Sequence, residues 1–405
     1  MTILTELHAD LLSDYRPGDS FFFRSPGHTI LARGTAATVP TCNVASNPVE
    51  TLTRRVRETL ADARAAGRPR PIVVGALPFE STTPARLTVP ATVRWSGSFR
   101  GAWGVDPPQE KGPSWAGPPP PEPPVAFGSL RHSPTAEGYK RSVAAALDRL
   151  AEGKLRKVVL ARAFHLDDVV RADVPAMLHR LAHGNPAGYV FAVDLLHGHT
   201  LLGASPELLV QRTGGVVTAN PLAGSAPRHT DPDEDTRAGE ALLASAKDLH
   251  EHAVVVEAVA DGLRPYCRDL RVPDKPSLSR TPTMWHLSTR IEGRIIDPEV
   301  DSIHLAAALH PTPAVCGTPR ELARKAIREL EPFNRGFYSG TVGWTDSSGD
   351  GEWAIALRCA EVAPHEIRGY AGAGIVPGSD PAAELDETTA KFRTFLSALG
   401  IDRDL

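Results

Sequence analysis

Two short stretches of the chain place carboxylates and lysines at helical spacing. In "KDLHEH" (247–252) Asp248 and Glu251 are three apart and Lys247 and Glu251 four apart; in "SDPAAELDETTAKF" (379–392) Glu384 and Glu387 are three apart and Glu387 and Lys391 four apart. Residues so spaced share one face of a helix. Each segment should therefore present a carboxylate pair with a lysine one turn away. Facing carboxylates repel unless a cation lies between them, and an all-oxygen set without His or Cys spacing suits Mg²⁺ better than zinc. Taken singly, either helix would as readily carry these pairs as solvated surface.

Other candidates lie on strands and turns. "LLGASPELLV" places Glu207 just after Ser205 and Pro206, at a turn between apolar runs, where partial desolvation would raise its pKa toward general-acid duty. "KVVLAR" opens with Lys157 against a buried-strand run, a setting that favours a neutral lysine and hence a base, although a lysine opening a strand is commonly just solvated. "AGAGIVPGSDP" lets backbone approach a ligand and leads into a helix N-terminus, a cradle for an anion or simply a tight turn.

The elements that must position these residues follow from periodicity. The first third reads as strands and loops, "DSFFFRSPGHTILARG" and "PIVVGALPF", with the helix "VETLTRRVRETLADARAAG" between them. Residues 106–124 hold nine prolines, which excludes a helix or a central strand and leaves an extended connection. From residue 136 onward helices alternate with strand pairs. Thr135 caps "AEGYKRSVAAALDRLAEGK", and helices are expected near 174–183, from 247, near 319–330 and from Pro381 behind the cap Asp380. The strands between them are "KVVLARAFHL", "GYVFAVDL", "TLLGASPELLVQR", "GVVTANPLAG", "YSGTVGWTD", "EWAIALRCAEV" and "EIRGYAGAGIV". Hairpins dominate, so antiparallel pairing is expected over a doubly wound parallel sheet.

Composition narrows the chemistry. The chain has 405 residues, 41% hydrophobic and 23% charged, with a net charge of -4, so no broad basic field invites a nucleic acid. No run approaches the length a membrane helix needs, and the start "MTILTELHADLLSDYRPGD" lacks a basic region followed by an apolar one. The four cysteines, Cys42, Cys267, Cys316 and Cys359, form no CxxC pair. These features point to a reduced, cytoplasmic protein that acts on a small molecule.

Taken in order, "KVVLAR", "GASPELL", "PLAGSAPR", "KDLHEH", "PTMWHL", "HPTPAVCG", "ELEPFNRGFYSG", "ALRCA" and "AGAGIVPGSDPAAELDET" resemble the chorismate-utilising enzymes, the family of isochorismate, salicylate, anthranilate and aminodeoxychorismate synthases. "FFFRSPGHTILARG" is similar to the N-terminal strand of the siderophore-type isochorismate synthases. The resemblance implies an α+β fold, with two packed antiparallel β-sheets surrounded by helices. It further implies one chorismate-binding domain over 1–405, a strand-rich part at 1–130 and the motif region at 131–405.

By the same resemblance, Glu251 and Glu387 would hold Mg²⁺ and Asp248 and Glu384 would support it through waters. Lys391 would sit by the ring carboxylate of chorismate. Arg358, Tyr338 and the backbone of Gly372, Ala373 and Gly374 would receive the enolpyruvyl carboxylate, Gly224 and Ser225 would line the ring, Ala314 and Val315 would contact the substrate, and His286 would lie near it or serve as a structural histidine. Lys157 would be the base and Glu207 the acid as water adds at C2 and the C4 hydroxyl leaves. A lysine at position 157 distinguishes this chain from the ammonia-using branch, so no glutaminase partner is expected, and a monomer is. Salicylate synthase is the nearest alternative, since Val315 stands where isochorismate synthases carry Leu and Tyr338 where the siderophore type carries Phe. A catalytically silent relative is the remaining reading, against which the intact Lys157, Glu207, Glu251 and Glu387 speak.

Overall fold

The computed structural model of the chain describes residues 5–6, 11–40, 48–97 and 125–401. The proline-rich stretch 106–124 and Cys42 lie outside them. Among the described residues eight helices occur: α1 (Pro48–Ala65), α2 (Ala136–Ala151), α3 (Val174–Gly184), α4 (Pro232–Ala244), α5 (Ala246–Leu263), α6 (Ser302–Leu309), α7 (Arg320–Leu330) and α8 (Pro381–Ala398). Side chains satisfy the free amides at the starts that matter for the site. Thr135 accepts from Gly138 N before α2, Ser245 from Asp248 N before α5, and Asp380 from Ala382 N and Ala383 N before α8, where Pro381 takes the first turn. Helix α4 was not expected. Of its few buried positions Leu242 is the sole large apolar one, beside Asp235 and Gly239, so it offers almost no periodic signal.

Among the described residues the strands form one hydrogen-bonded ribbon of eighteen and a separate sheet of three. One end of the ribbon runs antiparallel through Ser129–Ser133, Lys157–Asp167, Glu366–Ile375, Cys359–Val362, His199–Ser205, Tyr189–Leu196 and Ser20–Arg24. It continues through His28–Thr38, Arg86–Gly97, Ile72–Leu77, Thr341–Asp346, Gly351–Ile355, Leu208–Thr213, Val216–Asn220, Ile291–Ile295 and Cys267–Arg271. The small sheet pairs Leu222–Pro227 with Met284–Ser288 and Ser277–Arg280.

The expected two layers exist as the two halves of this ribbon, folded face to face. Ala161, Ala163, Phe191 and Tyr370 from the first half share a core with Val74, Ala76, Val342 and Trp344 from the second. Alternation along the strands supplies the outer faces as well. Phe21 and Phe23 enter the inner core while Phe22 joins α3 and α8 outside, which explains an uninterrupted aromatic run in a strand buried on both sides. Helices α1, α5 and α6 cover the second layer, and α2 and α7 flank the start of Lys157–Asp167. Among the described residues no helix is long and apolar enough to cross a membrane.

Three strands expected as continuous are broken, and each break is a crossing. "TLLGASPELLVQR" divides at Pro206–Glu207, with His199–Ser205 in one layer and Leu208–Thr213 in the other. "EWAIALRCAEV" divides at Leu357–Arg358 in the same way. "GVVTANPLAG" divides at Pro221, beyond which Leu222–Pro227 leaves for the small sheet. Pro206 and Pro221 lack the amide that a central ladder would require.

A buried ion pair ties the first layer to the loop after α6. Arg335 Nε donates to Glu331 Oε2 at 2.9 Å, its Nη1 to Val315 O at 2.7 Å and its Nη2 to Val159 O at 2.8 Å, while Glu331 Oε1 accepts from Ala161 N at 2.8 Å. Removing one member leaves the other charged and dry. Arg335→Met is expected to cost about 3–5 kcal/mol. The thermal midpoint of the single variant should fall below that of Arg335→Met/Glu331→Leu, and equal midpoints would show that the pair is not the source of the loss.

Candidate active site

The crossings meet at one cavity. Its wall includes Pro206 and Glu207 from the first break, Leu357 and Arg358 from the second, and Leu222, Gly224 and Ser225 beyond the third. Helices α5 and α8 bring Glu251, Glu387 and Lys391 to it, and Glu366–Ile375 brings Gly372 and Gly374. His286, Ala314, Val315 and Tyr338 complete the residues that the sequence singled out there. Ala373 lies between the two glycines and, by strand alternation, turns its methyl to the opposite face. Asp248, Glu384 and Lys157 stand behind the wall rather than in it.

Lys157 reaches its place through a gap. It is fully buried, and its Nζ lies 2.9 Å from Glu251 Oε1, an ion pair whose angles fall short of a hydrogen bond. The strand Glu366–Ile375 passes alongside, with Gly374 opposite Val159. A Cβ at Gly374 would stand 3.0 Å from Lys157 Cε and collide with the Glu251 carboxylate. The glycine is required by close approach.

Glu207 is nearly buried, with Leu222 N 3.5 Å from its Oε1 and its own amide donating to Ser205 Oγ at 3.2 Å. Burial pushes its carboxyl up to about 7, against the opposing pull of the Leu222 amide and of Lys157, Arg358 and Lys391. It therefore titrates near neutrality, above the usual carboxylate range. Arg358 is buried with φ 48° and Ser339 with φ 59°; both are non-glycine residues in the left-handed region, and both line the cavity. His286 Nε2 lies 3.4 Å from Arg358 Nη2, and burial, then the charges of Arg358 and Lys391, drives the imidazole to its neutral form. A neutral ring nitrogen there accepts from the guanidinium and holds its orientation.

The four helix carboxylates are each turned onto a donor. Ser225 Oγ donates to Glu387 Oε1 at 3.1 Å, Lys391 Nζ pairs with the same oxygen and donates to Gly372 O at 2.9 Å, and Ser245 Oγ donates to Asp248. Lys247 does not face Glu251 on its own helix as its spacing suggested. It reaches across to Glu384 Oε1 at 2.7 Å and so links α5 to α8.

The surroundings of these groups test whether they suit a divalent cation. Burial raises Glu384, and the Glu387 charge raises it further; burial raises Asp248, and Glu251 and Glu387 add to it against the Ser245 hydroxyl. Burial works against Glu387 as well, but Lys391, Lys247 and Ser225 hold its carboxyl below the usual value. Glu384 Oε2 is buried without a hydrogen-bond partner. Among the described residues no three His, Cys, Asp or Glu side chains close a metal site by themselves. Two cavity-facing carboxylates with two more one turn behind form a hard, negatively charged donor set, which fits an ion that takes its remaining ligands from substrate and water.

Comparison with known proteins places this geometry. Residues 117–400 match the family model described as chorismate binding enzyme. The chain belongs to that family. It is 50% identical to isochorismate synthase DhbC of Bacillus subtilis, over 99% of this chain and 98% of the relative, and 41% identical to the vibriobactin-specific isochorismate synthase of Vibrio cholerae, over 98% and 96%. The crystal structure of a DhbC from Bacillus anthracis superposes with a TM-score of 0.87 at 46% identity, covering 97% of this chain and 99% of that one. The menaquinone-specific isochorismate synthase of Escherichia coli superposes with a TM-score of 0.78 at 25% identity, covering 98% and 92%.

The chorismate-binding fold therefore holds the expected α+β architecture. Sequence reasoning did not name Ser339, Leu357 or the pair Glu331 and Arg335. Leu357 reaches the cavity at the break in "EWAIALRCAEV", which only the folded chain shows, and no sequence signal marks Ser339.

The Glu207 proton has a measurable consequence for stability. A carboxyl raised from 4.5 to about 7 in the folded chain contributes stability that is present at acid pH and lost as pH rises through about 7. Glu207→Gln is expected to remove that loss, an advantage over the parent chain of up to roughly 3 kcal/mol by pH ~8. Melting curves of both proteins across pH check it; parallel curves would exclude a protonated Glu207.

Proposed function

We propose that the chain is an isochorismate synthase that converts chorismate to isochorismate for siderophore or related aryl-acid biosynthesis. The observation that carries this is one cavity joining a carboxyl with a raised pKa, Glu207, to the cations Arg358 and Lys391 and the carboxylates Glu251 and Glu387. That set matches a substrate with two carboxylates, a hydroxyl to be expelled and a water to be activated.

Arg358, oriented by His286, binds the enolpyruvyl carboxylate with Tyr338 and the backbone at Gly372 and Gly374, since a guanidinium fork matches a carboxylate. Lys391 lies by the ring carboxylate. Glu251 and Glu387 would hold Mg²⁺, with Asp248 and Glu384 supporting them; the ion, when bound, neutralises and orients the dianionic substrate. Lys157 takes a proton from the water whose oxygen bonds to C2. The ring double bonds migrate, the C4–O bond breaks, and Glu207 gives its proton to the departing hydroxyl. Water enters and water leaves, so the reaction is an isomerisation, and no ammonia-delivering partner is required.

Val315 and Tyr338 both line the cavity, which makes them the positions where pyruvate loss would be favoured or suppressed. Incubation of purified protein with chorismate and Mg²⁺ is expected to yield isochorismate. Salicylate plus pyruvate would instead identify a salicylate synthase, and an amino product with ammonium would identify the other branch. Lys157→Ala and Glu207→Gln should each lower kcat by about 10²- to 10⁴-fold while the chain still folds cooperatively. EDTA should abolish turnover and Mg²⁺ restore it; turnover indifferent to chelation would remove the metal from the scheme.

A further inference from the structure

A second cavity shares no lining residue with the first. It is a groove of about 280 Å³ between α1, the turn after Ile72–Leu77, the end of α6 and the start of α7. Its walls are apolar at Leu52, Leu77 and Phe79, and its rim carries the guanidiniums of Arg55, Arg320 and Arg324 against the single carboxylate of Glu321. This leaves a formal excess of two positive charges.

The three arginines are engaged by neutral partners. Arg55 Nη1 donates to Pro40 O at 2.9 Å, Arg320 Nη2 to Leu309 O at 3.0 Å and Arg324 Nη2 to Phe79 O at 3.3 Å. Glu321 is largely exposed and reaches Arg324 at 3.9 Å, too far to neutralise it. Arg324 Nε is buried with no acceptor, and both ring nitrogens of His310 are shielded and close no full hydrogen bond, although the Pro78 and Phe79 carbonyls lie nearby. The first turn of α7 opens on Pro319 with no side-chain cap, so its amides add to the positive field. His310 meets the edge of Phe79 at 6.3 Å, and burial, then Arg324 and Arg320, pushes its pKa down to about 3, which keeps the ring uncharged.

We propose that this groove is a second ligand site, for a small organic anion that joins one carboxylate to an apolar ring. Arg320 and Arg324 pair with the carboxylate, and the ring lies against Leu52, Leu77 and Phe79. A bare inorganic anion would leave the apolar walls wet, and an uncharged ring would leave the guanidiniums without a counterion.

The test uses 4-bromobenzoate, cyclohexanecarboxylate, toluene and inorganic phosphate with the full chain. A crystal soaked in 4-bromobenzoate is expected to show anomalous bromine density between Leu52 and Phe79. In solution calorimetry, both ring carboxylates should bind at this site, toluene and phosphate more weakly. Arg320→Gln should weaken the groove's share of binding about tenfold, and Thr51→Trp, which fills the groove from α1 and leaves Arg320 and Arg324 in place, should abolish it with unchanged melting. Bromine found only in the active site or nowhere, binding at crystal concentration only, phosphate bound as tightly as the aryl acid, or binding indifferent to Thr51→Trp would each overturn the assignment.

Discussion

A hydrogen-bonded ribbon that folds back on itself must interrupt its ladder wherever a strand passes between layers, and the chemistry of this protein is assembled at those interruptions. Backbone groups freed there still have to be satisfied in a dry interior. Glu207 shows how: its carbonyl accepts from Ile355 N and its amide donates to Ser205 Oγ, so the turn is held by bonds to the neighbouring crossing. The side chain is left to face the cavity.

Burying so many charges together is tolerable only because they compensate one another. Lys157 meets Glu251 from a neighbouring strand, Lys391 meets Glu387 along α8, and Lys247 meets Glu384 across from α5 to α8. Charges at such separations in a poorly solvated site interact strongly, and an unmatched one would be driven neutral. Glu207 closes no ion pair, and there burial outweighs the pull of Lys157, Arg358 and Lys391. Two kinds of carboxyl thus coexist in one cavity, set apart by their partners alone.

The family motifs, the antiparallel character and most helices were legible in the chain because they rest on local signals: caps such as Thr135 and Asp380, the apolar run that follows Lys157, the spacing of Glu384, Glu387 and Lys391. Helix α4 was not, since it buries little apolar surface, and neither was the breaking of three strands into crossings, since a proline in an apolar run does not say where the chain goes next. Lys247 illustrates the limit of spacing arguments. Position 251 is its neighbour by period, yet its ammonium bonds Glu384 on another helix, while the Glu251 carboxylate turns to Lys157.

The sequence by itself determined which residues could act, because ionisable groups in apolar runs and glycines in strands are local facts of composition and order. Only the tertiary structure decided which of them meet. Lys157 and Glu251 touch because Gly374, far along the chain, contributes no side chain between them, and Glu207 keeps its proton because the folded layers exclude water from the crossing. Desolvation and contact are properties of the packed molecule, and no spacing along the chain encodes them.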